Sequence, residues 1–436
     1  MVARAVHVRE PPGGRVTRRV GRLLRAAVVG VLVVTTATAG AVVPPTDPAR
    51  QAEYWLDDYG IRTAWQTTRG AGTTIAVIDT GIGRGPAEFE GAVTAGADFS
   101  GSGSADGRTP VGGDDRDHGS WVASLAASRG TGPDTGMIGV APEAKLLSLS
   151  IGFGGSSDIP FATQVADAMT WAVDHGADII NLSFTTNLLE WDPSWDTAFQ
   201  YAYDHDVVVV VAAGNRGTGT DRVGAPATIP GVLTVGGVDR GGVASQEAST
   251  QGITIGISAP SEGLLGVSAD GRIVVWDGTS GAAPIVAGVA ALVRSAHPGL
   301  DANNVINRII KTARAVPGVS AKPDPLYGYG LLDAAAAVNT AVPAVSENPM
   351  GDLAEWVRIY RRAEQAPAPQ PSTSPVALPE LPAADPPSEA GSPLLPSLNT
   401  LLYGTVPLVG VTIAAILVAL GVTAAVRRIR SARASR

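Results

Sequence analysis

The chain has 436 residues, 45% of them hydrophobic and 17% charged, with no cysteine and a formal net charge of −8. That length suits one large domain or two to three small ones, and the composition excludes both a disordered polyelectrolyte and a protein built only of membrane spans. The missing cysteines exclude disulfides, thiolate metal sites and a thiol nucleophile, and 40 acidic against 32 basic residues argues against nucleic acid as a partner.

The basic residues are concentrated at the two ends. Residues 1–25 hold seven arginines (Arg4, Arg9, Arg15, Arg18, Arg19, Arg22, Arg25) and a single acid, Glu10. An uncharged apolar run over 26–34 follows, then small residues over 35–41 that include Ala37-Thr38-Ala39 as an A-x-A site. A basic start, a short apolar run and a small-residue end predict a cleaved signal peptide over 1–39.

The folded body is expected over 40–345. Apolar runs of strand length lie at 73–78, 145–150, 177–183 and 207–213. The run Val207-Val208-Val209-Val210-Val211 shows no alternation, as a strand buried on both faces of a parallel sheet requires. Helical patterns fall between the strands, at 119–128, 161–175 and 195–205, and an Ala- and Val-rich stretch at 286–296 predicts a central buried helix. The fold class is therefore α/β, a parallel sheet with helices on both faces. Ligands of such sheets bind at the carboxyl ends of the strands.

Beyond the body the composition changes. Ten of the 35 residues at 366–400 are proline and none is aromatic, which favours an extended linker rather than a core. Residues 406–426 carry no charge, enough to span a hydrocarbon core of roughly 30 Å. Arg427, Arg428, Arg430, Arg433 and Arg436 follow directly, which keeps that end cytoplasmic and puts the body outside. The expected layout is signal peptide 1–39, folded domain 40–345, proline-rich linker 346–404, membrane helix 405–426 and basic tail 427–436, in the cell membrane with one pass.

Candidates for chemistry are few. Among the five histidines, His7 lies in the signal region, and His175, His205 and His297 each fall where a helix ends, a place the helix dipole favours. His118, in Asp117-His118-Gly119-Ser120, instead opens a helix after an acidic loop. Ser280, in Gly278-Thr279-Ser280-Gly281-Ala282-Ala283-Pro284, opens the buried helix, where the first N–H groups are free to meet an oxyanion. Pro284 is expected in the first turn, where its missing N–H removes no helical bond. Asp79 ends the first strand and Asn215 follows the valine strand. Aspartate, histidine and serine supply the parts of an activated nucleophile, and a side-chain amide can donate to the oxyanion.

In chain order, Ile78-Asp79-Thr80-Gly81, Asp117-His118-Gly119-Ser120, Ala213-Gly214-Asn215 and the Ser280 block resemble the motifs of the subtilisin family of serine peptidases. Asn181-Leu182-Ser183 and Tyr327-Gly328-Tyr329-Gly330-Leu331-Leu332-Asp333 resemble further family blocks, and the similarity covers about residues 51–340. The resemblance implies a subtilisin-like fold acting on protein or peptide substrates. It also implies Ser280 as nucleophile, His118 as general base, Asp79 as its orienting carboxylate and Asn215 in the oxyanion hole. By position, Ser150, Ile151, Gly152 and Ala212, Ala213, Gly214 would flank the peptide. Gly281 departs from the larger residue that commonly follows the family's serine. No long inhibitory propeptide fits between residue 39 and the domain. This organisation resembles the mycosins, membrane-anchored peptidases associated with type VII secretion, which implies that machinery as a partner. The alternative is a structural component of a secretion complex whose catalysis is dispensable. A sedolisin-like acid peptidase is disfavoured by Asp117-His118-Gly119.

No cofactor or metal is expected. The five acids of residues 98–117 (Asp98, Asp106, Asp114, Asp115, Asp117) read as a solvated loop rather than a cation site, and they should favour protonated His118.

Overall fold

A computed structural model of the chain describes residues 47–154, 156–365 and 401–434. The expected signal peptide over 1–39 and the proline-rich residues 366–400 lie outside the described residues.

The body opens with three short helices, α1 (Pro48–Ala52), α2 (Trp55–Asp58) and α3 (Ile61–Ala64). Strand β1 (Thr74–Asp79), β2 (Val93–Asp98), helix α4 (His118–Ala127), β3 (Lys145–Ser150), α5 (Phe161–Asp174), β4 (Ile179–Leu182), α6 (Pro193–Asp204) and β5 (Val208–Ala212) follow. Then come β6 (Leu233–Val238), β7 (Ile255–Pro260), a hairpin of β8 (Leu264–Val267) and β9 (Ile273–Trp276), and helices α7 (Thr279–Ala296), α8 (Ala302–Lys311), α9 (Ala334–Asn339) and α10 (Leu353–Gln365).

Seven strands form one parallel sheet in the order β2-β3-β1-β4-β5-β6-β7, with β8 and β9 pairing apart from it. The unbroken apolar runs are explained by two cores. Ile75, Val77, Val208 and Val210 face the layer that contains α4, α7, α8 and α9. Their neighbours Ala76, Ile78, Val209 and Val211 face α5 and α6. Burying one such side chain contributes roughly 1.5–3 kcal/mol, so both faces of the sheet add to its stability.

The helices show why they form where they do. On α5 the buried residues Val165, Ala168, Met169, Ala172 and Val173 recur at helical spacing on one stripe. Helix α6 starts with Asp192 accepting from the Ser194 N–H and Pro193 in the first turn. His175, His205 and His297 are C-cap residues, and each bonds a carbonyl: Trp171 O at 2.8 Å, Tyr201 O at 2.8 Å and Val338 O at 2.7 Å.

The folded unit extends past the expected boundary at 345. Residues 346–352 turn along the domain and α10 packs on it, burying Leu353 and laying Trp356 on Trp191 at 4.5 Å. Arg361 pairs with Asp196 at 2.8 Å, both largely covered. The compact unit thus ends near Ala366, and residues 346–365, expected as linker, belong to the domain. A stripe of Leu353, Trp356, Val357 and Tyr360 at helical spacing explains the difference.

The second unit holds a short π-helical turn (Leu401–Thr405) and α11 (Val406–Ala434). The stretch Leu401–Arg428 contains an 18-residue window with a mean hydropathy of 2.5, none of it buried, which makes it a candidate membrane span.

Candidate active site

The carboxyl ends of β1 and β5 and the N-termini of α4 and α7 bring Asp79, His118, Asn215 and Ser280 to one region. Asp79 is fully buried. Its Oδ1 accepts the Thr80 N–H at 2.7 Å, and His118 Nδ1 lies 2.8 Å from Oδ1 and 2.9 Å from Oδ2. The start of α4 is fastened to the turn after β1. Thr80 Oγ1 donates to the Arg116 carbonyl at 2.7 Å and accepts the Gly119 N–H at 2.8 Å, while Ser120 Oγ accepts the Gly83 N–H at 2.9 Å. A Cβ on Gly119 would sit 2.6 Å from the Gly81 carbonyl oxygen, so the glycine beside His118 is a steric requirement.

The His118 ring is edge-on to Trp276 at 5.6 Å and to Trp121 at 6.3 Å. Burial disfavours the imidazolium, but the charge and hydrogen bond of Asp79 outweigh it, and Asp115 adds to them, so the His118 pKa lies above its ordinary value. This matches the expected direction, with Asp115 as the contributing acid of the loop. Asp98 does other work: burial would raise its pKa, but bonds from Ser100, Ser150 and Gly103 hold it below the ordinary value. Among the described residues no group of three or more acids or histidines is placed to hold a metal ion.

Asn215 is oriented by Thr279. Its Oδ1 accepts the Thr279 N–H at 2.8 Å and the Thr279 hydroxyl at 2.9 Å, and that hydroxyl accepts the Gly214 N–H at 2.9 Å. A backbone N–H can only donate, so the bond fixes which end of the amide is oxygen and leaves Nδ2 as the free donor. Gly278, with φ 146°, would place a Cβ 3.0 Å from that Nδ2.

Asn215 and Ser280 line a cavity of about 170 Å³ with Ala212, Gly214 and Thr279, closed by Phe184, Thr185, Thr218 and Thr220. None of these side chains is charged. The structure therefore brings Ala212 and Gly214 to Ser280. It does not bring Ser150, Ile151, Gly152 or Ala213 into that lining. Ser150 Oγ bonds Asp98 at 2.6 Å, the Ile151 N–H bonds the Asp79 carbonyl at 2.8 Å, and the Gly152 N–H bonds Gln164 Oε1 at 2.7 Å. Phe184, Thr185, Thr218 and Thr220 escaped the sequence reading because only chain reversal brings them together; they lie just beyond Ser183 and Asn215, which was the available signal.

Two features of α7 needed the structure. A Cβ on Gly281 would come 2.4 Å from Leu264 Cδ1 and 3.3 Å from the Trp276 ring, so the hairpin fills the space a larger residue would take. Pro284 is the sixth residue of α7, beyond the first turn, so the expectation that it removes no helical bond is corrected. The bond it removes is the one to the Ser280 carbonyl, and Ser183 Oγ donates there instead at 2.8 Å. The Ser280 hydroxyl donates to the Ser183 carbonyl at 2.8 Å rather than to His118.

Residues 70–330 match the subtilase family model, described as peptidase S8. Mycosin-3 of Mycobacterium tuberculosis is 35% identical over 367 residues, 70% of this chain and 76% of that protein. A thermostable alkaline protease of Halalkalibacterium halodurans is 35% identical over 266 residues, 61% of this chain and 67% of that protein. The solved structure of the MycP3 protease from the type VII (ESX-3) secretion system superposes with a TM-score of 0.55 at 33% identity, covering 70% of this chain and 90% of that one. On these matches and the site they enclose, the chain belongs to the subtilase family of serine peptidases.

Proposed function

We propose that the chain is a membrane-anchored, extracytoplasmic serine endopeptidase that works through Asp79, His118 and Ser280 by way of an acyl-enzyme. Neutral His118 takes the Ser280 proton as Oγ attacks the scissile carbonyl. Asp79 holds the ring tautomer and stabilises the imidazolium that forms. Charge developing on the carbonyl oxygen meets Asn215 Nδ2 and the Ser280 N–H. His118 then gives its proton to the leaving amine, and water repeats the sequence to free the acyl group. Ala212, Ala213 and Gly214 flank one side of the extended substrate, and Ser150, Ile151 and Gly152 support the other.

The observation that carries this reading is the 2.8 Å contact of His118 Nδ1 with buried Asp79, beside a serine at a helix start and an amide whose donor end is fixed. The test is Ser280→Ala with a fluorophosphonate probe and a peptide substrate. Loss of labelling and a fall in kcat of roughly a thousandfold or more are expected. Labelling equal to wild type overturns the reading.

The mycosin relatives support a role in processing a component of a type VII secretion system. A second reading, a structural part of such a system, is favoured by the exposed apolar helix α11. If Ser280→Ala cells secrete normally while cells lacking the protein do not, that second reading holds. The five arginines after the span support a cytoplasmic C-terminus, and protease protection of a C-terminal tag in sealed cells checks it.

A further inference from the structure

The block Asn181-Leu182-Ser183 has no part in the triad, yet it reaches the nucleophile. Asn181 sits inside the sheet on β4, between Val77 of β1 and Val210 of β5. Ser183 is the first residue past the end of that strand, and both side chains are buried. Asn181 Nδ2 donates to Ser183 Oγ at 2.9 Å. A hydroxyl that accepts in this way still has its one hydrogen to give, and Ser183 gives it to the Ser280 carbonyl at 2.8 Å. That carbonyl lacks its helical donor because residue 284 is proline. In return the Ser280 hydroxyl donates to the Ser183 carbonyl at 2.8 Å. Residues 97 positions apart are thus joined twice, once through the nucleophile's backbone and once through its side chain.

We infer that Ser183 is a positioning residue for the nucleophile: its hydroxyl replaces the helical bond that Pro284 removes and so fixes Ser280 relative to His118. The inference rests on the peptidase reading above. Without the hydroxyl, a part-buried carbonyl loses its partner and the first turn of α7 is free to shift. Displacements well under 1 Å at an attacking atom reduce rate rather than binding. The Ser183 hydroxyl bonds Asn181 Nδ2 and the Ser280 carbonyl rather than Ser280 Oγ, so its effect belongs in kcat.

The test is a double-mutant cycle of Ser183→Ala and Pro284→Ala in the full chain, in detergent. It is read by fluorophosphonate labelling rate, by kcat and KM on a peptide, and by Tm. Ser183→Ala is expected to slow labelling and kcat about tenfold with KM changed less than about twofold. Pro284→Ala restores an N–H four residues on, so in that background the Ser183→Ala loss shrinks to under about twofold. Should Ser183→Ala not fold, Ser183→Cys, near in size with a weaker donor, takes its place in the cycle. An equal loss in both backgrounds overturns the inference, as does a lowered Tm with unchanged labelling and kcat. A wild type that fails to label overturns the peptidase reading itself, whereas a wild type that labels no faster than Ser183→Ala overturns this inference alone.

Discussion

Helices α7 and α11 are both long and apolar enough to cross a membrane but live in opposite surroundings. Helix α7 has a mean hydropathy of 1.2 and is 78% buried in its own domain, while an 18-residue window of Leu401–Arg428 reaches 2.5 with none of it buried. The residues differ in size as much as in polarity. Helix α7 is dense in Gly and Ala, and a Cβ on Gly288 would come 2.6 Å from Val140 Cβ and 3.1 Å from the Ala126 carbonyl oxygen, so close approach to α4 and the loop after it depends on what is missing. Helix α11 instead presents Leu408, Val411, Leu417 and Val418, each more than 60% exposed. Small residues mark a helix packed by protein, and large branched ones mark a helix whose solvent is something else.

Charge insertion breaks the comparison most strongly. Ala287 is fully buried, so Ala287→Asp should cost several kcal/mol and abolish the folded domain. Ile416→Asp should leave the domain's Tm unchanged while weakening membrane insertion by about 3 kcal/mol. Thermal melts and carbonate extraction of both variants check the pair, and equal effects on Tm would erase the distinction.

The next effect is chemical, at the mouth of α7. Asn215→Ala should lower kcat by about 10²-fold with little change in KM, measured on the same peptide as the Ser280 variant.

A third prediction extends the contrast to a buried charge far from α7. Glu53 is pushed up to about 8, chiefly by burial, with the Ile138 N–H bond and Arg50 opposing. A carboxyl whose folded pKa lies above its unfolded value binds more protons when folded. Stability should therefore fall as pH rises from about 4.5 to about 8 and stay low above it. Glu53→Gln should flatten that slope in melts recorded across the range.

The smallest effect is at His118. Activity needs the neutral ring, so it should rise with pH through a midpoint above the ordinary histidine value. Asp115→Asn should move that acid limb downward with kcat at its plateau unchanged, as a pH–rate profile would show.

The parallel sheet and the four catalytic candidates were legible in the sequence because each depends on local pattern: valine runs buried on two faces, and short motifs at strand or helix ends. The C-capping histidines were legible for the same reason. Helix α10 was not, because its stripe of Leu353, Trp356, Val357 and Tyr360 is interrupted by Glu355, Arg358 and Arg361 and runs directly into the proline-rich stretch. The lining of the cavity at Ser280 was not either, since Phe184, Thr185, Thr218 and Thr220 meet only after the chain turns back. Pro284 was misplaced by a single turn, because a sequence does not say which residue starts a helix; the N–H of Thr279 taken by Asn215 decides it.

Gly281 and the hairpin that covers it have a consequence for chemical durability. The chain has no cysteine and four methionines. Met137 and Met169 are fully buried, and Met350 lies in a separate groove beside Trp356. The neighbourhood of Ser280 is built from Leu264, Trp276 and threonine methyls, with no sulfur in the cavity lining. Peroxide, which attacks thioethers and thiolates first, meets no such atom in the lining beside Ser280.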